Sequence, residues 1–244
     1  MVSAVIFAGG IGQRMKSKDI PKQFLEIEGK PIIIRTLEHF SNHPEVDNIV
    51  VVCVDTWLDV LKVDLEKFGI QKVIATVPGG ASGHESIHNG LVEVTKRAKE
   101  EDIVLICDGV RPMLSEELIS RCIADARKYE TAVPVTPSID SVLYSEDGES
   151  CSKNYRRKNI FITQAPQGYT IRKIMWAHEE AEKRNMDPIS SADLLIELGE
   201  KVHLVQGIRE NIKVTTPEDL QQLRAIHYYD HYMDFAREVL KYGL

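Results

Sequence analysis

The chain has 244 residues, 43% hydrophobic and 27% charged, with a formal net charge of -7. That is enough chain for an α/β domain of ordinary globular composition. The acidic balance argues against broad nucleic-acid binding, which draws its affinity from a basic face, but a local cluster of Lys and Arg can still hold an anionic ligand. Taken in chain order, Met1 to Gly10 is apolar but short. It has no basic leader and runs into Gly-Gly, so Val2–Phe7 is expected as a buried strand rather than a signal peptide. Pro31 to Phe40 reads as a helix with Pro31 in its first turn. Asn48–Val54 is a β-branched run suited to a strand buried on both faces. Trp57 to Phe68 is helical, with Gly69 as the residue that ends it. A strand over Lys72–Val77, a helix over Ser86–Lys99 and a buried strand over Ile103–Cys107 follow. Ser115 to Tyr129 opens with Ser-Glu-Glu, a helix start with acids in its first turn. Thr131–Val135 is a further strand, and Gln221–Tyr242 a terminal helix.

Strands alternating with helices at this spacing imply an α/β fold with a doubly wound, mostly parallel sheet. Ligands in such sheets bind beyond the carboxyl ends of the strands. The chemically suggestive segments Ala8–Arg14, Pro78–Ser86 and Asp108–Pro112 each follow a strand. The alternation breaks between about Pro137 and Gln164. There, short apolar runs flank Glu-Asp-Gly-Glu-Ser and the basic stretch Lys153–Lys158, which reads as a protruding β-hairpin arm over about 138–163. Such an arm either packs on a partner subunit or stands as a solvated surface hairpin. No repeat or low-complexity linker marks a second domain, so 1–224, arm included, is expected as one domain and 225–244 as a helical extension. No apolar run is long enough to span a bilayer. Cys53, Cys107, Cys122 and Cys151 lack metal-ligand spacing and are expected as reduced thiols in a cytoplasmic protein. The eight histidines form no nucleophile–base set and are expected mostly at the surface.

Ala8-Gly-Gly-Ile-Gly-Gln-Arg-Met15 follows the first strand directly. Glycines let the backbone turn sharply and bring N–H groups close to phosphate oxygens. Arg14 and Lys22 add a planar and a compact cation. A dinucleotide fingerprint needs a third glycine, and a P-loop needs Gly-Lys-Ser/Thr; both are missing. By itself such a loop is weak evidence, with a structural turn as the alternative reading. The following motifs make the chain recognisable. Ala-Gly-Gly-x-Gly-x-Arg-Met and Pro21-Lys-Gln-Phe are followed in order by Gly79-Gly80 through Ser86-Ile-His-Asn-Gly-Leu91. Asp108-Gly-Val-Arg-Pro112, Gln164-Ala-Pro-Gln167 and Asn211-Ile-Lys-Val-Thr complete the series. Together, from residue 3 to about 224, they resemble the cytidylyltransferase family that includes 2-C-methyl-D-erythritol 4-phosphate cytidylyltransferase and ribitol-5-phosphate cytidylyltransferase.

The resemblance implies a Rossmann-like nucleotidyltransferase fold and transfer of CMP from CTP to a polyol phosphate, with release of pyrophosphate. It implies that Arg14, Lys22 and Lys213 neutralise the triphosphate and the transition state. Backbone groups at Ala8, Gly9, Gly10, Gly12, Gly79, Gly80 and Ala81, with the Ser86 hydroxyl and Asp108, would hold the nucleotide. Arg111, Asp140, Ser141 and Arg157 match positions near the acceptor, and in the family's homodimer the arm would carry Arg157 to the partner's site. Mg²⁺ is implied by the triphosphate, held largely by phosphate oxygens, with Asp108 as the one candidate protein ligand. Read without the resemblance, Lys213 is an outward residue on an edge strand and Asp108 a helix cap.

Three positions depart from the family pattern. Gly83 stands where Arg is usual, with His84 beside it; Ala165 replaces the Thr of Gln-Thr-Pro-Gln; and Ser190-Ser191-Ala192 replaces Thr-Asp-Ala, with Asp193 following. The Gly-Gly opening and the Val-Arg-Pro form favour the ribitol-phosphate branch over the methylerythritol branch. A nucleotidyltransferase using another NTP and a sugar phosphate, and a non-catalytic nucleotide-binding protein, are the other readings. Tyr228, Tyr229, Tyr232, Phe235 and Leu240 give the terminal helix a face expected to pack on the body or on a partner.

Overall fold

The computed structural model describes residues 1–10, Met15 and 20–242; for residues 230, 231 and 234–242 it describes the backbone alone. In chain order the elements begin with β1 (Val2–Ala8), a two-residue ladder β2 (Glu26–Ile27) and β3 (Lys30–Pro31), α1 (Ile32–Asn42), β4 (Asn48–Cys53) and α2 (Leu58–Lys67). Next come β5 (Val73–Pro78), α3 (Gly83–Thr95), β6 (Ile103–Asp108), α4 (Glu116–Tyr129) and β7 (Thr131–Pro137). The chain continues through β8 (Leu143–Tyr144), β9 (Lys153–Asn154), β10 (Phe161–Thr163), β11 (Gln167–Thr170), α5 (Ile171–Arg184), α6 (Ser191–Glu197), β12 (Leu204–Gln206) and α7 (Pro217–Tyr242).

The main sheet has the order β10-β7-β11-β6-β1-β4-β5, with β12 also paired to β7. β6, β1, β4 and β5 run parallel, and β12 runs parallel to β7. β10 and β11 run against their neighbours. The expected doubly wound, mostly parallel sheet therefore forms, with two reversed strands. Successive residues of β1 serve opposite faces, as the pleat requires. Ala4 and Ile6 face a layer made by α1, α2 and α4, with Leu37, Phe40, Leu61 and Leu118 buried against them. Val5 faces the opposite layer of α3, α5 and α6, with Leu91, Ile174 and Leu195. α3 lies close on its sheet because Gly90 has no side chain: a Cβ there would come within 2.5 Å of a Val5 methyl.

Several expectations need correction. The arm segment contains only the two pairs Leu143↔Asn154 and Tyr144↔Lys153. Its last stretch, Phe161–Thr163, belongs to the main sheet as β10, paired with β7. α3 begins at Gly83 rather than Ser86, and α7 begins at Pro217. Among the described side chains the histidines are not surface residues: His43 and His178 are buried, and His39, His84, His88, His203 and His227 are half-buried; His231 lies outside the residues whose side chains are described. On α7, Leu223 is buried beside Val110 and Val214, and His227 stands 2.9 Å from Glu28. Tyr228, Tyr229 and Tyr232 are exposed, so they do not pack on the body; Phe235 and Leu240 lie outside the residues whose side chains are described.

Candidate active site

Parallel register brings the ends of four strands, β1, β4, β5 and β6, to one edge of the sheet. Ala8 pairs with Cys53, Cys53 with Pro78, and Phe7 with Asp108. The segments after β1, β5 and β6 therefore leave the sheet side by side, and a cavity of about 490 Å³ opens above them. Gly9 and Gly79 let the first two approach: a Cβ on Gly9 would stand 3.0 Å from Ser86 Oγ and 3.4 Å from the Gly79 Cα. Ala8, Gly9, Gly10, Lys22, Gly80, Ala81, Ser86, Asp108 and Lys213 all line this cavity. Gly79 packs just behind the lining. Gly12 and Arg14 lie outside the described residues.

The start of α3 forms the second wall. Ser82 caps the helix, accepting from the Glu85 N–H at 3.1 Å, while the Glu85 carboxylate accepts from the Ala81 N–H at 2.6 Å. This reciprocal arrangement resembles a capping box. Ser86 Oγ accepts from the Gly80 N–H at 3.0 Å and donates to the Ser82 carbonyl at 2.8 Å. The N–H groups of Gly80 and Ala81 and the Ser86 hydroxyl are thus engaged in shaping the loop. The N–H groups of Gly83 and His84 begin the helix, where no intrahelical acceptor exists and the helix dipole favours an anion.

Asp108 ends β6 and is almost fully buried. Arg111 Nε donates to its Oδ2 at 2.8 Å, and Lys213 Nζ stands 2.6 Å from its Oδ1. Burial pushes the carboxyl toward a higher pKa, but the charges of Arg111 and Lys213 outweigh it and hold the group below its ordinary value. Lys213 arrives from the far end of the chain on a segment pinned at several points. The Val214 N–H bonds the Val110 carbonyl at 2.9 Å, Asn211 Nδ2 donates to the Ala165 carbonyl at 2.6 Å, and Arg111 Nη1 donates to the Asn211 carbonyl at 3.1 Å. Gln164 pairs with both the N–H and the carbonyl of Ile208.

A second cavity, about 280 Å³, lies on the other side of Asp108 and Lys213. Arg111, Thr163, Gln164, Gln167 and Asp193 line it, as do the three departing positions Gly83, Ala165 and Ser191. Phe7, Gly83, Asp108 and Lys213 belong to both cavities. Asp140, Ser141 and Arg157 line neither cavity; they are exposed in the segment around β8 and β9, where Arg157 donates to the Ile139 carbonyl at 3.3 Å. Sequence reasoning assigned no role to Gln23, Gln164 or Asn211, although all three sit inside the motifs it quoted.

The family model described as IspD, 2-C-methyl-D-erythritol 4-phosphate cytidylyltransferase, matches residues 2–228. A ribitol-5-phosphate cytidylyltransferase of Vibrio parahaemolyticus is 41% identical over 224 residues, covering 91% of this chain and 94% of that protein. A 2-C-methyl-D-erythritol 4-phosphate cytidylyltransferase of Clostridium botulinum is 36% identical over 218 residues, covering 89% of this chain and 93% of the other. The crystal structure of 4-diphosphocytidyl-2C-methyl-D-erythritol synthase from Anaerococcus prevotii superposes with a TM-score of 0.80 at 29% identity, covering 93% of this chain and 96% of that one.

Proposed function

The chain belongs to the IspD family of cytidylyltransferases, and from that premise we propose that it transfers CMP from CTP to ribitol 5-phosphate, releasing pyrophosphate. The observation that carries this reading is the pair Lys213–Asp108, 2.6 Å apart, in the wall shared by the two cavities. A triphosphate in the larger cavity and a phosphorylated acceptor in the smaller would meet there. Relatives 35–41% identical over most of the chain carry the name ribitol-5-phosphate cytidylyltransferase, which favours that acceptor.

An oxygen of the acceptor phosphate attacks the α-phosphorus of CTP. The bond to the bridging oxygen breaks, and pyrophosphate leaves with the electron pair. A phosphate monoester is already largely anionic near neutral pH, so no side chain need remove a proton. Asp108, with an ion pair on each oxygen, orients cations rather than acting as a base. Positioning and charge neutralisation supply the catalysis. Lys22 and Lys213, with Arg14, are the cations assigned to the phosphates, and Gly83 and His84 N–H groups add the helix start. Arg111 is assigned to the acceptor side.

Among the described residues no cluster of three or more His, Cys, Asp or Glu could cage a metal. That donor set fits a Mg²⁺ carried on the triphosphate's own oxygens, with Asp108 as the carboxylate at hand. When bound, the metal would neutralise phosphate charge. Asp140, Ser141 and Arg157 are assigned to the acceptor site of a second copy, in a homodimer formed through the segment around β8 and β9. Among the described residues no helix is long and apolar enough to cross a membrane. The cysteines are unpaired, and Cys53, Cys107 and Cys122 are buried, which fits a reducing compartment such as the cytoplasm.

Pyrophosphate release measured with each of four NTPs, against ribitol 5-phosphate and 2-C-methyl-D-erythritol 4-phosphate, tests the reading. CTP with ribitol 5-phosphate should give the highest kcat/KM. Turnover indifferent to the base, or confined to the second acceptor, would refute it.

A further inference from the structure

Gln23 follows Lys22 in a single tight turn, Lys22–Phe24, and its side chain is buried to 1% exposure. Nε2 donates to the Ala8 carbonyl at 2.6 Å and reaches the Gly10 carbonyl at a longer 3.4 Å. Both carbonyls belong to the glycine segment that lines the larger cavity. A primary amide nitrogen carries two N–H groups, matched here to two acceptors. A carbonyl oxygen left facing a triphosphate would repel it, whereas one bonded to an amide is turned away and its backbone is fixed. The same bonds tie the turn that carries Lys22 to the glycine segment, so cation and loop hold one geometry.

We propose that Gln23 is a positioning residue for the nucleotide: its amide clamps the Ala8 and Gly10 carbonyls, presents the glycine segment to the triphosphate and fixes Lys22 beside it. The inference rests on the reading of this cavity as the triphosphate site. It assigns Gln23 no contact with the reacting atoms. The chemistry is demanding, because among side chains of this length only a neutral amide offers two N–H groups from one atom. Methionine has the shape without the donors, and an ionised glutamate puts oxygens against the carbonyls.

Calorimetric titration of CTP into the wild type, Gln23→Met and Gln23→Glu tests this, with thermal unfolding measured on each. Gln23→Met should remain folded and bind CTP roughly tenfold to a hundredfold more weakly, the effect of leaving buried acceptors unpaired. Gln23→Glu should bind more weakly still at neutral pH. As the pH is lowered its affinity relative to wild type should recover, because a protonated carboxyl regains one donor for the Ala8 carbonyl. Wild-type affinity in folded Gln23→Met, weakening that only tracks its unfolded fraction, or no recovery of Gln23→Glu in acid overturns the clamp while the functional reading stands. A wild-type protein that binds no CTP overturns the functional reading and the clamp with it.

Discussion

Asp108 has both carboxylate oxygens committed, one to Arg111 and one to Lys213. Arg111 is as buried as Asp108, whereas the Lys213 side chain is 43% exposed to the cavities. The two cations therefore differ in role. Arg111 neutralises a buried charge, and in the proposed reaction Lys213 exchanges its carboxylate for a phosphate oxygen when substrate enters. Lys213→Ala is expected to lower kcat by roughly 10²–10³, the range seen when one transition-state contact is removed. Because the lysine is partly solvated and Arg111 remains, stability should change by less than about 1 kcal/mol. Steady-state kinetics with urea unfolding checks both; a variant that loses folding and activity together contradicts the assignment. At this scale the sequence was informative about lysines and glycines, whose chemistry is visible in a string. It could not show that Gly80 and Ala81 spend their N–H groups on Ser86 and Glu85, because that depends on how a helix cap folds back. Nor could it reveal Gln23, which acts through backbone carbonyls distant in sequence.

α3 presents its first turn to both cavities, and α5 supports it from behind. The two helices meet through a stack of imidazoles: His84 lies 4.2 Å from His178, and His88 lies 5.4 Å from it. Burial pushes His178 down to about 3, and the neighbouring His84 and His88 act in the same direction. In the unfolded chain the ring titrates at about 6.5. The stabilising neutral form is therefore fully present above about 6.5, and its contribution is lost as pH falls toward 3, where unfolding takes up a proton that the native ring refuses. Unfolding free energy should drop by up to about 1.4 kcal/mol per pH unit in that window from this ring alone. Urea unfolding of wild type and His178→Phe at several pH values measures it; equal slopes for the two proteins would remove the histidine from the account. The strands were legible because β-branched runs admit few alternatives, and Ser115 marked the start of α4 one residue early, as a cap should. The segment around 137–163 was not, because its apolar residues alternate like a hairpin whether they pair with each other or, as Phe161–Thr163 does, with an existing sheet edge. The histidine stack was missed because its members lie on two helices far apart in sequence.

At the scale of the whole molecule, the proposed reading has one chain supply the nucleotide half of the site and only part of the acceptor half. Arg111 lines the second cavity, while Asp140, Ser141 and Arg157 stay exposed outside it. Ile139, Leu143, Tyr144 and Tyr155 leave apolar surface in the same segment, as an unpartnered interface would. In the proposed homodimer each site takes its Arg157 from the other copy. Arg157→Ala and Lys213→Ala, each expected to be nearly inactive alone, should then complement when mixed. Statistical exchange in a twofold dimer would restore about a quarter of wild-type activity. No recovery after verified subunit exchange would place Arg157 in its own chain's site or outside catalysis. One sequence does not display this arrangement, since in the proposed homodimer these residues become neighbours of the site only across two copies. The net charge of -7 is compatible with an anionic substrate because Lys22, Arg111 and Lys213 are placed at the cavities.

The proposed reaction joins a cytidylyl group to a polyol phosphate at the shared wall of the two cavities. ³¹P NMR of the protein with ribitol 5-phosphate and each NTP in turn tests it most directly. With CTP, the acceptor's monoester signal should be replaced by a pair of coupled diphosphate resonances and free pyrophosphate. The same products at equal rates from ATP, GTP and UTP, or an acceptor signal that persists with CTP, would contradict it.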